Sequence, residues 1–138
     1  MTEVLARSLW SVALTGIGLA LYWLVSKAIL KRGQLASSRI PNFHKGVPTI
    51  LYFTTPDCAP CKTVQRPALE KLQSQLGADH LQVLEVNAEE KPELAQEWGV
   101  LSVPTTFILD FEGHPRHVNH GVTREDRLLR QLNGLMKR

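Results

Sequence analysis

The strongest constraint on this chain is a run of nineteen residues without a charge, SLWSVALTGIGLALYWLVS, between Arg7 and Lys27. As a helix it spans about 28 Å, close to the ~30 Å hydrocarbon core of a bilayer. Trp10 sits near one end and Tyr22 and Trp23 near the other, where amphipathic rings settle at the membrane–water boundary. A helix apolar all round needs either lipid or a large fold to surround it, and a chain of 138 residues leaves little to do so. A cleaved leader would carry an apolar core of about 7–15 residues ending at a small-x-small site. This run is longer and leads into Lys27, Lys31 and Arg32. The expectation is a single-pass anchor over residues 1–32, with residues 8–30 in contact with the membrane.

Charge agrees with that division. Up to Lys45 there are six Lys/Arg (Arg7, Lys27, Lys31, Arg32, Arg39 and Lys45) against Glu3 alone, while the remainder holds ten basic and twelve acidic residues. A nucleic-acid binder carries its positive charge on the folded domain. Here the excess flanks the apolar run instead, which points away from nucleic acid. The positive-inside rule puts the richer flank, and the domain after it, on the cytoplasmic side; the opposite orientation stays open.

Residues 33–46 have no apolar period and are punctuated by Gly33, Pro41 and Gly46. They read as a linker with at most one short element, from which Phe43 packs onto the domain. The domain itself occupies 47–138. TILYFTT (Thr49–Thr55) is a short β-branched and aromatic run, suited to a buried strand. A helix is expected over Ala59–Leu76 with Val64, Leu69, Leu72 and Leu76 inward, kinked at Pro67 and ended by Gly77. Strands follow at Leu81–Asn87, Thr105–Phe111 and Arg116–Asn119, with a short helix at Pro92–Trp98. Thr123 with Asp126 resembles a capping box opening a last helix, whose inner side is Leu128, Leu129, Leu132 and Leu135. The order β-α-β-α-β-β-α implies a compact α/β sandwich.

The chain's two cysteines are separated by two residues, Cys58-Ala59-Pro60-Cys61. A bridge closing so small a loop removes little unfolded-state entropy, so chemistry is the better reason for the pair. The motif follows a strand and opens a helix, where unpaired N–H groups and the dipole stabilise an anion. Cys58, just before the first turn, should therefore be the more acidic thiol and the attacking nucleophile. Cys61, one turn in, is the resolving thiol. Pro60 suits an early helical position and stiffens the dipeptide. A zinc or copper(I) half-site uses the same spacing. The further imidazoles, His114, His117 and His120, lie three apart on a turn and strand and so should not converge, so no metal site is assigned.

Together the strand TILYFTT, the CAPC pair, the segment WGVLSVPTTFIL (Trp98–Leu109) and the glycines Gly113 and Gly121 resemble the thioredoxin family, over Val47 to the C-terminus. The resemblance implies a central mixed sheet flanked by helices, here preceded by a transmembrane helix. It implies a cis-proline at Pro104 and substrate-peptide pairing along the Val103 backbone. The 43-residue step from Cys61 to Pro104 looks like thioredoxin proper, whereas membrane-tethered cytochrome-maturation relatives carry a longer insertion.

The departures are specific. Asp57 and Ala59 replace the Trp and Gly of the family's WCGPC, and Asp57 places a negative charge beside Cys58 that opposes thiolate formation. The family's buried aspartate, six residues before the first cysteine, corresponds to Tyr52, and its partner lysine to Glu85. One expectation is that Glu85 supplies the missing acid as proton acceptor, with the Tyr52 hydroxyl; the plainer alternative is a solvated glutamate. The helix proline also falls one residue later than in the family, so the active-site helix should differ locally.

The function implied is a membrane-tethered, monomeric thiol–disulfide oxidoreductase, acting on protein disulfides in the reducing direction. It would need no bound cofactor and would be recharged by an upstream thiol reductant. A copper(I) or zinc metallochaperone and a redox-inactive interaction module are the alternatives.

Overall fold

The computed structural model describes residues 2–36 and 40–137, with side chains for 7–32 and 40–137. In chain order the elements are α1 (Thr2–Ala36), β1 (Thr49–Thr54), a π-turn (Cys61–Gln65) running into α2 (Arg66–Leu76), β2 (Gln82–Asn87), α3 (Pro92–Glu97), β3 (Thr105–Leu109), β4 (Pro115–His120) and α4 (Glu125–Met136). The four strands form one sheet in the order β2-β1-β3-β4. β1 runs parallel to β2, and β3 is antiparallel to both β1 and β4.

Period-2 geometry sends alternate residues of each strand to opposite faces, and both faces are covered. Every residue of β1 is buried, which is why its centre, Ile50–Phe53, is continuously apolar rather than alternating. Ile50, Tyr52 and Ile108 face Leu69 and Leu72 of α2 and Leu128 and Leu132 of α4. Leu51, Phe53, Phe107 and Leu109 face the other way, onto Leu94, Ala95 and Trp98. There Phe53, Phe107 and Trp98 pack edge to tilted face, with ring centroids 4.8–6.4 Å apart.

The Arg7–Arg32 segment of α1 is long and apolar enough to cross a membrane. Its side chains stand exposed up to Val25. Near its end the pattern changes. Ile29 is buried in the same core as Trp98, and its Cγ1 lies where a β-carbon on Gly99 would come within 3.2 Å. Gly99 has φ +68°, so glycine there serves both a left-handed turn after α3 and the close approach of α1. The end of α1 therefore shares with α3 the work of covering one sheet face.

Of the segment expected as a linker, residues 33–36 continue α1, and 40–46 are fastened to the domain. Ile40 is buried, Asn42 and His44 bond through their backbones to the Gln82 side chain, and the Gly46 N–H donates to the Phe111 carbonyl at 2.7 Å. Phe43 lies against Gly113, close enough to occupy the place a β-carbon would take. Arg39, counted in the basic flank, lies outside the described residues.

Three local expectations are revised. Val64 is nearly half exposed; the inner row of the active-site helix is Cys61, Gln65, Leu69 and Leu72. The break expected at Pro67 takes the form of the π-turn, in which the Arg66 N–H reaches back five residues to the Cys61 carbonyl. Thr123 does not cap α4. The cap position is Arg124, without a side-chain bond, and Thr123 instead bonds elsewhere.

Candidate active site

The site forms where β1 ends. After Thr54 the chain turns through Pro56 and Asp57, and the Cys58 N–H donates to the Thr55 carbonyl at 3.2 Å. The Cys58 carbonyl then accepts from the Lys62 N–H at 3.3 Å, so Cys58 is where helical bonding begins. Pro60, helical at φ −64°, occupies an early position where its missing N–H costs nothing. A disulfide joins Cys58 to Cys61. Cys58 is 9% exposed and Cys61 only 1%, so the little solvent access the pair has falls on Cys58, with Cys61 buried behind it. The Cys61 N–H donates to Cys58 Sγ at 3.3 Å, the kind of unpaired helix-start donor that stabilises an anion on that sulfur.

Beneath Cys61 lies Tyr52, 1% exposed, whose hydroxyl donates to the Cys61 carbonyl at 3.3 Å. Burial raises the Tyr52 pKa above its ordinary value near 10, against a lowering hydrogen bond with Thr54 and with a further rise from the Glu85 charge. The hydroxyl thus stays protonated, as a donor, throughout the physiological range.

Glu85 is not a buried acid. Its Cα pairs with Tyr52 across β1 and β2, but β2 is the edge strand and the side chain is 43% exposed. There it pairs with Arg66, and that hydrogen bond raises the guanidinium pKa. The solvated alternative describes the residue, because an edge strand leaves a long side chain free to reach water.

Across from the cysteines, the Val103–Pro104 peptide bond is cis. Val103 packs against the clusters on both sheet faces, among them the one holding Cys58 and Cys61. The Gly121 N–H donates to the Pro104 carbonyl at 2.8 Å, tying the β4–α4 loop to this segment. A groove of about 440 Å³ runs beside it, lined by Thr55, Ala95, Gly99, Leu101 and Val103 and reaching Arg32 of α1. Leu101 stands 83% exposed on its rim.

The three histidines of the β3–β4 hairpin do different things. His114 lies 3.6 Å from Asp110, and His117 is held below its ordinary pKa by burial and by the Arg127 charge. Among the described residues no three His, Cys, Asp or Glu side chains gather to hold a metal ion.

Gln65 escaped the reading from sequence. It is completely buried and bonds in both directions with the Thr123 backbone. A search for apolar periodicity passes over a glutamine, although its spacing of four from Cys61 and from Leu69 was legible as a helix row.

This geometry sits on a known architecture. The thioredoxin family model matches residues 38–134. The chain belongs to the thioredoxin family. It is similar to thioredoxin from Bacillus subtilis, 39% identical over 57 residues, covering 41% of this chain and 53% of that protein. It is also similar to thioredoxin 1 of Synechococcus elongatus, 32% identical over 84 residues, covering 61% and 69%. Among solved structures, an uncharacterized thioredoxin-like protein from Clostridium perfringens aligns with a TM-score of 0.57 and 29% identity, over 67% of this chain and 73% of that one. The match thus spans about half the length of the Bacillus thioredoxin. Family and bonded cysteine pair together support thiol–disulfide chemistry as the general class.

Proposed function

We propose that this chain is a membrane-anchored thiol–disulfide oxidoreductase that reduces disulfides in protein substrates. The observation that carries the reading is the Cys61 N–H directed at Cys58 Sγ at a helix start, with Cys58 slightly exposed and Cys61 fully buried. In the reduced protein the Cys58 thiolate attacks one sulfur of a substrate disulfide. That S–S bond breaks, a mixed disulfide forms, and the first substrate thiolate leaves. Cys61, deprotonated, then attacks Cys58 Sγ, releasing the second substrate thiolate and closing the Cys58–Cys61 bond. The substrate gains two electrons and the protein loses two. An upstream dithiol reverses the change, and the exchange runs on the protein's own sulfurs. The substrate peptide would pair with the Val103 backbone as an added strand, beside Pro104.

The reducing direction rests on the Pro-containing dipeptide, which resembles that of reducing family members. The anchor rests on the length and apolarity of Arg7–Arg32. The cytoplasmic side rests on Lys27, Lys31 and Arg32, the basic residues that close the uncharged run.

Two experiments test this. The full chain in detergent, reduced and presented with a protein disulfide, is expected to reduce it; the Cys61→Ser variant accumulates a mixed disulfide through Cys58, and Cys58→Ser is inert. Failure of Cys61→Ser to trap any adduct sinks the exchange mechanism. In cells first treated with a membrane-permeant reductant, an impermeant thiol reagent should leave Cys58 unlabelled until the membrane is opened; prompt labelling overturns the cytoplasmic placement.

A further inference from the structure

Gln65 is a wholly buried polar side chain that dithiol exchange does not use. It ends the π-turn, on the same inner face as Cys61, with Leu69 and Leu72 continuing the row. Its Nε2 donates to the Thr123 carbonyl at 3.1 Å, and its Oε1 accepts from the Thr123 N–H at 2.7 Å. Both halves of the amide are thus spent on one residue, 58 positions away in sequence. Two positions before Thr123, the Gly121 N–H donates to the Pro104 carbonyl at 2.8 Å. A short relay therefore links the helix of the cysteines, through Gln65, to the β4–α4 loop and on to the cis-proline segment. At its other end, the Cys61 carbonyl accepts from both the Tyr52 hydroxyl and the Arg66 N–H.

A buried amide costs free energy unless every donor and acceptor is matched. Leu or Met at this place would fill the same space but leave the buried Thr123 N–H and carbonyl without these partners. What the amide adds is direction: it fixes where the Thr123 backbone stands relative to the π-turn.

We propose that Gln65 is a positioning residue that holds the Gly121–Thr123 loop, and through it the Val103–Pro104 segment, in register with Cys58 and Cys61. The inference rests on the exchange reaction proposed above. A peptide substrate then meets a platform already ordered, and binding loses no free energy to arranging two loops. A small disulfide that needs only access to Cys58 Sγ gains nothing from the platform. Gln65 has no bond to make or break in the exchange itself.

The test uses the full chain in detergent and the Gln65→Met variant. The expected result is a rise of about tenfold in KM for a disulfide-bonded peptide, as expected for loss of about two modest hydrogen bonds. The kcat and the rate with a small aromatic disulfide stay within about twofold of the parent. A parallel fall with both disulfides, or no change with the peptide, overturns the proposal. Hydrogen exchange over residues 119–124 gives an answer independent of activity, and in the unsubstituted protein independent of whether the variant folds. The Gly121 and Thr123 amides of the parent should exchange at least about a hundredfold slower than in an unfolded chain, and both should speed up together in Gln65→Met. Unprotected amides in the parent, or an unchanged Gly121 in a folded variant, overturn the clamp. A parent inert to both disulfides with these amides protected would sink the oxidoreductase reading and leave the clamp standing.

Discussion

Tyr52 and Glu85 are paired across β1 and β2 but differ in their surroundings. Tyr52 lies under Cys61 and offers it a neutral donor, aimed at the carbonyl rather than at the sulfur. Tyr52→Phe removes that bond and leaves the ring packed, so chemical denaturation should read a loss of about 1 kcal/mol. Glu85 shares the sheet face of Tyr52 but reaches water at the edge. Its ion pair with Arg66 is exposed, and such pairs contribute little. Glu85→Gln should change stability by less than about 0.5 kcal/mol and leave the pH profile of disulfide reduction where it was. A profile that moves would restore Glu85 as a proton acceptor. Asp57 belongs to the same scale. Its charge beside Cys58 opposes a thiolate, so Asp57→Asn should speed alkylation of Cys58 at neutral pH by about two- to fivefold.

At the scale of elements, the β3–β4 hairpin carries the clearest pH dependence. Asp110 follows β3 with its side chain largely covered, and its carboxylate gathers the Glu112 and His114 N–H groups and the Arg116 guanidinium. Burial pushes its pKa up, but these donors outweigh it and the net shift is below the ordinary 3.8. A folded pKa below the unfolded one means that Asp110 stabilises the fold in full above about pH 4. That contribution fades as pH falls through the lower, folded value. Asp110→Asn should therefore destabilise the domain at pH 7 and flatten its loss of stability below about pH 4, as read by denaturation midpoints across that range. The π-turn is the other element that matters. Its i→i+5 bond just before Pro67 keeps Cys61 and Leu69 on one face and brings Gln65 inside with them.

For the whole molecule, the apolar helix and the domain are not independent parts joined by a tether. Ile29 closes the core that Trp98, Phe53 and Phe107 build on one sheet face, and α3, only six residues long, covers that face with its help. Ile29→Ala in the full chain should destabilise the domain by about 2 kcal/mol or more. Ile17→Ala, at an exposed position of the same helix, should leave it unchanged. Thermal unfolding in detergent, followed through the tryptophan signal, separates the two. Equal midpoints for both variants would show that α1 does not support the core.

The helices and strands, the cysteine pair at a strand-to-helix junction and the long apolar run were legible in the residues alone. Each is written locally, in a period of 2 or 3.6, in turn residues, or in length against bilayer thickness. The exposure of Glu85, the burial of Gln65 against Thr123 and the docking of Ile29 beside Gly99 were decided only by tertiary structure. Strand order set the first, by putting β2 at the edge; helix-to-loop packing across 58 residues set the second; and the third needed a helix end from outside the domain. A side chain's surroundings depend on which element lands against it, and neighbours along the chain do not contain that information.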